Sequence, residues 1–165
     1  MAIYLIRHGK TETPWVKHAD SKLSALGQEQ ACALVDSWSF PAPRKVVSSP
    51  LKRALETAQP LAGHYGIDVE VMDSFGEIPA PQVGDPEREP FLKWLIEPNT
   101  TWEDFNDDRV LEWRERLIRE AMNLPDQTAV FTHYATINAL ISAAQKSRYI
   151  NAVNPENCSP VLFEI

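Results

Sequence analysis

The feature that most constrains this chain is a repeated pattern. Short apolar runs end abruptly in polar or charged residues, and stretches with helical spacing lie between them. Ala2-Ile3-Tyr4-Leu5-Ile6 is almost continuously apolar and is followed by Arg7 and His8. Such a run suits a strand covered on both faces. Lys45-Val46-Val47-Ser48 and Thr128 to Thr132 read the same way, Asp68 to Met72 alternates, and Pro160 to Ile165 forms a terminal strand. A helix follows from about Ser24, a good N-cap residue, with Ala31, Leu34, Val35 and Trp38 on its apolar stripe. Ser49 as cap and Pro50 as first helical residue predict a second helix. Its stripe is Ala54, Ala58, Leu61, Ala62 and Tyr65, and Gly66 closes it. Ile137, Leu140, Ile141 and Ala144 mark a further helix after the fourth strand. Alternating strands and helices predict a three-layer α/β/α fold with a mostly parallel sheet.

Residues 75–101 break this rhythm. Pro79, Pro81, Pro86, Pro90 and Pro98 punctuate the stretch and exclude a long regular element. It is too long for a simple connection. We read it as an insertion or lid on a single domain spanning 1–165, with a helix from about Trp102 to Met122 returning to the sheet. Phe91, Trp94, Trp102 and Phe105 either line a pocket there or pack the insertion on the body, and packing is the favoured reading.

Composition narrows the class of function. The 165 residues carry a formal net charge of −7 and no Lys/Arg-rich run, which argues against a nucleic-acid partner. No apolar run approaches the ~20 residues of a membrane span, and no signal peptide is apparent at the start, so a cytoplasmic location is expected. Cys32 and Cys158 lie far apart and read as packing residues. No ligand spacing suggests a metal, and no cofactor motif appears.

In open α/β sheets, ligands bind beyond the carboxyl ends of the strands. Four segments meet that condition: Arg7-His8-Gly9, Ser48-Ser49-Pro50-Leu51-Lys52-Arg53, Glu77, and His133 at the end of Thr128 to Thr132. Arginine forks suit phosphoryl oxygens. Histidine can attack phosphorus, and a carboxylic acid can protonate a leaving oxygen. Together these residue types describe phosphoryl transfer through a phosphohistidine.

Arg7-His8-Gly9-Lys10-Thr11 resembles the signature of the histidine phosphatase superfamily, the phosphoglycerate mutase-like proteins. Leu23 to Ala31 is similar to that family's first-helix segment, and Ser48 to Ala58 to its second-arginine segment. Phe75-Gly76-Glu77 and Val130-Phe131-Thr132-His133 stand where the family's acid and second histidine are expected. The resemblance implies a phosphoglycerate mutase-like fold and a metal-independent phosphatase without cofactor. His8 would be its nucleophile, and Arg7, Arg53 and His133 its phosphoryl-binding residues. Thr11 would add a hydroxyl contact, and Glu77 would be the proton donor, placed at the pocket rim so as to stay partly protonated. Asp73, Glu70, Asp85, Glu87 and Glu89 compete with Glu77 for that role. The chain departs from the family in following His133 with Tyr134 and Ala135 rather than glycine. His18 and His64 read as surface or packing residues.

The implied substrate is a phosphate monoester of a small molecule. A phosphohistidine phosphatase acting on a protein is the alternative, and a degenerate phospho-ligand-binding protein is a second. The chain is shorter than the family's mutases, which favours hydrolysis.

Overall fold

The computed structural model describes residues 1–164. Strand β1 (Ala2–Arg7) is followed by α1 (Ala25–Ser37), β2 (Lys45–Ser48), α2 (Lys52–Tyr65) and β3 (Val69–Val71). Then come α3 (Arg88–Leu95), α4 (Asp108–Met122), β4 (Thr128–Thr132), α5 (Tyr134–Ala144) and β5 (Pro160–Glu164). The five-stranded sheet runs β3-β2-β4-β1-β5. Its strands are parallel except β5, which is antiparallel to β1. Ile165, where the sequence ends the terminal strand, lies outside the described residues.

Side-chain alternation on the strands builds two cores. Tyr4, Ile6, Val46, Ala129 and Phe131 pack against Leu34 of α1 and Ala58 and Leu61 of α2. Ile3, Leu5, Val47 and Val130 face Leu117 of α4 and Ile137 and Leu140 of α5. Helices on both faces complete the expected three layers. Among the described residues, no helix is long and apolar enough to cross a membrane.

The caps mostly follow the sequence. Ser24 Oγ accepts the Gly27 amide at 3.0 Å and starts α1. Gly66 takes φ 65° and returns its amide to the carbonyls of Ala62 and Gly63. Helix α2, however, begins at Lys52 and not at Pro50. Ser49 Oγ accepts the Leu51 amide at 3.2 Å and also meets the His133 ring at 2.8 Å, while Leu51 stays extended and takes the N-cap position. The helix expected from Trp102 is also divided. Trp102–Asp104 forms one tight turn that closes on itself through a Thr101/Asp104 capping box, and α4 starts afresh with Asp107 Oδ1 accepting from Arg109 N at 3.0 Å. Strand β3 spans three residues, fewer than the alternation predicted.

The Pro-rich stretch holds one short helix, α3, with Pro90 in its first turn, where a missing N–H costs little. Trp102 and Phe105 are buried, and Phe91 and Trp94 pack against them. These aromatics therefore seat the insertion on the body. Cys158 is buried, which pushes its thiol up to about 12. Cys32 is exposed, so the expectation that it packs is corrected: it sits on the outer face of α1, whose stripe is Ala31 and Leu34.

Candidate active site

Register along the sheet brings the polar residues together. Arg7 of β1 pairs with Thr132 of β4, and Ser48 of β2 pairs with Phe131. The residues just past those positions are His8, His133 and Ser49. Two further backbone bonds hold them level: His8 N to Thr132 O at 3.1 Å and Ser49 N to Phe131 O at 3.0 Å. Adjacent parallel strands thus place both histidines at one edge, with ring centroids 5.4 Å apart.

His8 is fixed by its neighbours. Its Nδ1 lies 2.8 Å from the Gly9 carbonyl oxygen, a contact that requires Nδ1 to be the donor. Nε2 is then bare, and Arg53 Nε donates to it at 3.3 Å. Burial, with the charges of Arg53 and Arg7, lowers the His8 pKa to about 3. The ring is held neutral, and its Nε2 lone pair faces the Arg53 guanidinium. Asn157 Nδ2 donates to the His8 carbonyl at 2.7 Å, and Gly9 N donates to Thr57 Oγ1 at 3.0 Å.

Gly9 has no room for a side chain. A Cβ there would lie 2.7 Å from the Gly27 carbonyl, and a Cβ on Gly27 would lie 2.1 Å from the Lys10 carbonyl. The loop after β1 and the first turn of α1 approach backbone to backbone, which only glycine permits.

Arg53 is buried and central. Nη1 donates to the Ala19 carbonyl at 2.9 Å, and Nη2 meets Glu77 Oε2 at 3.2 Å. Glu77 also accepts the Ile78 amide through Oε1 at 3.1 Å. The expectation of a rim position for Glu77 is corrected: its side chain is only 12% exposed. Burial raises its pKa, against the opposing pull of Arg53 and Arg7. The proton is thus favoured by desolvation and needs no exposed position. Of the competing carboxylates, Glu70 pairs with Lys45, Glu89 pairs with Lys93, and Asp85 accepts the Glu87 amide. Among the described residues, Glu77 is the carboxylate that lines the cavity.

That cavity, of about 730 Å³, is lined at one end by Arg7, His8, Arg53 and Glu77. Thr11 lines it too, its hydroxyl donating to the Thr13 carbonyl at 2.9 Å. His133, expected among the phosphoryl-binding residues, does not line the cavity but stands behind this surface, fully buried. Its Nε2 pairs with Ser49 Oγ at 2.8 Å, and its Nδ1 lies 3.2 Å from Glu77 Oε2 without a well-formed hydrogen bond. Burial and the arginines lower its pKa well below the usual value. As N-cap of α5, His133 puts the helix's unpaired first amides at the same edge.

Tyr134 lines the cavity beside Ala135. Its ring packs 5.5 Å from the Arg7 guanidinium, and its hydroxyl donates to Asn151 Oδ1 at 2.9 Å. Asn151 Nδ2 in turn holds the carbonyls of Leu95 and Glu97 at the end of α3. Arg7 donates to the Pro155 carbonyl at 3.1 Å, and its Nε is buried without a partner.

Several contributors were missed in the sequence. Thr57 sits one turn after Arg53, a spacing that could have revealed it. Arg88 had no local signal. It is 4% exposed and joins the insertion to the loop after β1 through the carbonyls of Trp15, Val16 and Pro81. His18, read as surface or packing, is exposed but lines the cavity mouth. Among the described residues, no three His, Cys, Asp or Glu side chains gather as a metal ligand set.

A parallel sheet between helical layers, with two histidines, two arginines and a carboxyl at its edge, defines a phosphoglycerate mutase-like protein. The chain matches the model of the histidine phosphatase superfamily, branch 1, over residues 3–165, and it belongs to that family. It is 35% identical over 72 residues to an uncharacterized protein of Mycobacterium tuberculosis, covering 41% of this chain and 36% of that protein. It is 37% identical over 73 residues to the glucosyl-3-phosphoglycerate phosphatase of Mycolicibacterium vanbaalenii, covering 42% of this chain and 32% of that protein. The match therefore spans about a third of the length of these relatives. Its fold is similar to a mycobacterial glucosyl-3-phosphoglycerate phosphatase complexed with VO3, with a TM-score of 0.71 and 23% identity over 98% of this chain and 90% of that one. It is also similar to the Entamoeba histolytica phosphoserine phosphatase bound to 3-phosphoglyceric acid, with a TM-score of 0.68 and 22% identity over 99% and 95% of the two chains.

Proposed function

We propose that the protein is a metal-independent phosphatase that hydrolyses a phosphate monoester of a small molecule through a phosphohistidine on His8. The observation that carries this reading is the state of the His8 ring: neutral, donating from Nδ1 to Gly9, with an unprotonated Nε2 that accepts from Arg53.

In the first step, Nε2 attacks phosphorus and the ester P–O bond breaks. Glu77 gives its proton to the departing oxygen. Arg7, whose Nε is otherwise unpartnered, and Arg53 bind the phosphoryl oxygens, with the α5 N-terminus behind them. Arg53 exchanges its contacts with His8 Nε2 and Glu77 for the phosphoryl group, and His133 then retains the carboxyl. With the Ser49 hydroxyl donating to Nε2 of His133, its Nδ1–H faces Glu77. Thr11 contacts the phosphoryl group from the loop side. In the second step, water attacks phosphorus, Glu77 takes a proton from it, and the P–N bond breaks to release phosphate. Preorganised charge does most of this work, as is usual for phosphoryl transfer. Glu77 in the cavity favours an ester over a protein phosphohistidine, whose leaving group needs less help. One domain, 1–165, carries the site, with residues 75–101 serving as its lid.

Rapid mixing with an aryl phosphate and alkaline quench should place phosphate on His8, detected by peptide mass spectrometry. Phosphate on another residue, or undiminished turnover in His8→Ala, overturns the mechanism. Prolonged chelation should leave turnover unchanged. Activity that disappears and returns only with a divalent ion would sink the metal-independent reading.

A further inference from the structure

The far end of the cavity differs in chemistry from its phosphoryl end. Leu92, Leu95, Ile96 and Pro98 of the α3 region form one wall. Ile96 is 64% exposed, so a large apolar side chain stands in water at the edge of a binding cavity. A bound molecule with an apolar face would take that surface out of water. Trp15 stands on the cavity's lining as well, held by cation–π contact with Arg88 at 4.9 Å.

The cavity also has little to offer a second anion. Among the described residues, Arg7 and Arg53 are the Lys or Arg side chains that line it, and both stand at the phosphoryl end. Arg88 is near, but its Nε, Nη1 and Nη2 are all committed to backbone carbonyls. Lys10 and Lys17 are exposed and lie off the cavity wall. His18 Nδ1 accepts the Asp20 amide at 3.1 Å, leaving Nε2 as its free nitrogen. A phosphoryl dianion takes both lining arginines. A carboxylate or second phosphate on the leaving group would then lie against Leu92 and Ile96 with no lining Lys or Arg left to pair with it, which is costly.

We infer that the leaving group this cavity accepts is an uncharged alcohol with an apolar face, seated against Leu92, Leu95 and Ile96, and that esters carrying a second anion are disfavoured. The inference rests on the phosphatase reading for the word "leaving group", but the cavity's preference is a binding property and can be measured without turnover. His18 and Asn154 at the mouth suit hydroxyl or amide groups on the outer side of that alcohol.

The test uses three non-hydrolysable probes: methylphosphonate, benzylphosphonate and 4-carboxybenzylphosphonate. Their binding to the intact chain is measured by calorimetry, beside turnover of phenyl phosphate. Benzylphosphonate should bind about tenfold tighter than methylphosphonate, because its ring covers apolar wall. The carboxylated probe should bind at least about tenfold more weakly than benzylphosphonate, through its unpaired charge. Ile96→Lys, at an exposed position that does not threaten folding, should shift the preference toward the carboxylated probe by about tenfold. Equal or tighter binding of the carboxylated probe by the wild type overturns the inference, as does equal binding of the methyl and benzyl probes or no binding of any. The expected binding order without turnover of phenyl phosphate upholds the cavity's preference and removes the phosphatase reading instead.

Discussion

Glu77 is the residue whose environment says most about chemistry. A carboxyl beside a buried arginine would ordinarily stay ionised, yet desolvation prevails and its pKa is raised. The proton is then retained to higher pH than an ordinary carboxyl allows. Turnover of an alkyl phosphate should therefore fall as pH rises through the Glu77 pKa. In Glu77→Gln that alkaline limb should disappear, and the rate should drop by roughly 10²–10⁴-fold, the usual worth of acid–base help. An aryl ester with an acidic phenol leaves without a proton and should lose much less. Steady-state rates on the two esters, across pH, check this; equal losses on both would show that Glu77 is not the donor. Glu87→Gln and Asp85→Asn should be near neutral on both esters, since neither side chain lines the cavity.

At the scale of elements, the position of His8 depends on how α1 meets the loop after β1. Gly9 and Gly27 allow that approach, and Thr57 of α2 receives the Gly9 amide. Gly27→Ala would drive a methyl group into the Lys10 carbonyl, which is backbone and cannot swing aside. It should destabilise the fold by roughly 1–3 kcal/mol, as overpacking does. Because the displaced loop carries His8, turnover should fall further than the lost stability explains. Gly63→Ala is the matched control, since a Cβ there meets nothing within 4 Å in the same helical setting. Denaturant melts and turnover at a temperature where both variants are folded separate the two effects; full activity in Gly27→Ala would show that the contact yields freely.

For the whole molecule, the buried histidines set how stability responds to acid. His8, at about 3, and His133 both titrate below their ordinary value of 6.5. Below pH 6.5 the unfolded chain binds protons that the folded chain refuses, so stability is lost as pH falls, for His8 down to about 3. Each such group contributes a slope of up to about 1.4 kcal/mol per pH unit. Glu77 acts in the opposite sense: its raised pKa costs stability as pH rises from the ordinary carboxyl value through its own. Replacing His8 by Asn should therefore flatten the loss of Tm between pH 7 and pH 5. Calorimetric melts at the two pH values test it, and an unchanged difference would show that the ring is not held neutral.

Read alone, the sequence determined the layers and the edge where chemistry gathers. Apolar runs ended by Arg7, Ser48 and Thr132 mark strands buried on both faces, and the residues after such strands must emerge at one side of a parallel sheet. The Ser24 cap and the Gly66 closure were equally legible, because they depend on contacts within a few residues. What only the tertiary structure decided are the features made by distant segments. Ser49 could cap α2 on local grounds, but Leu51 takes the N-cap position, and the Ser49 hydroxyl, besides accepting the Leu51 amide, meets the ring of His133, which follows β4. Glu77 looked as if it needed an exposed rim to keep a proton, but packing between Arg53, His133 and the Ile78 amide gave it burial instead. The Pro-rich stretch had no periodicity to read, so its turn over the cavity, with Ile96 left in water, arises from Arg88 and Asn151 holding carbonyls far away in the chain. Local spacing can encode a strand, a helix or a cap; it cannot encode which remote partner satisfies a buried polar group, since that is settled only when the whole chain has packed.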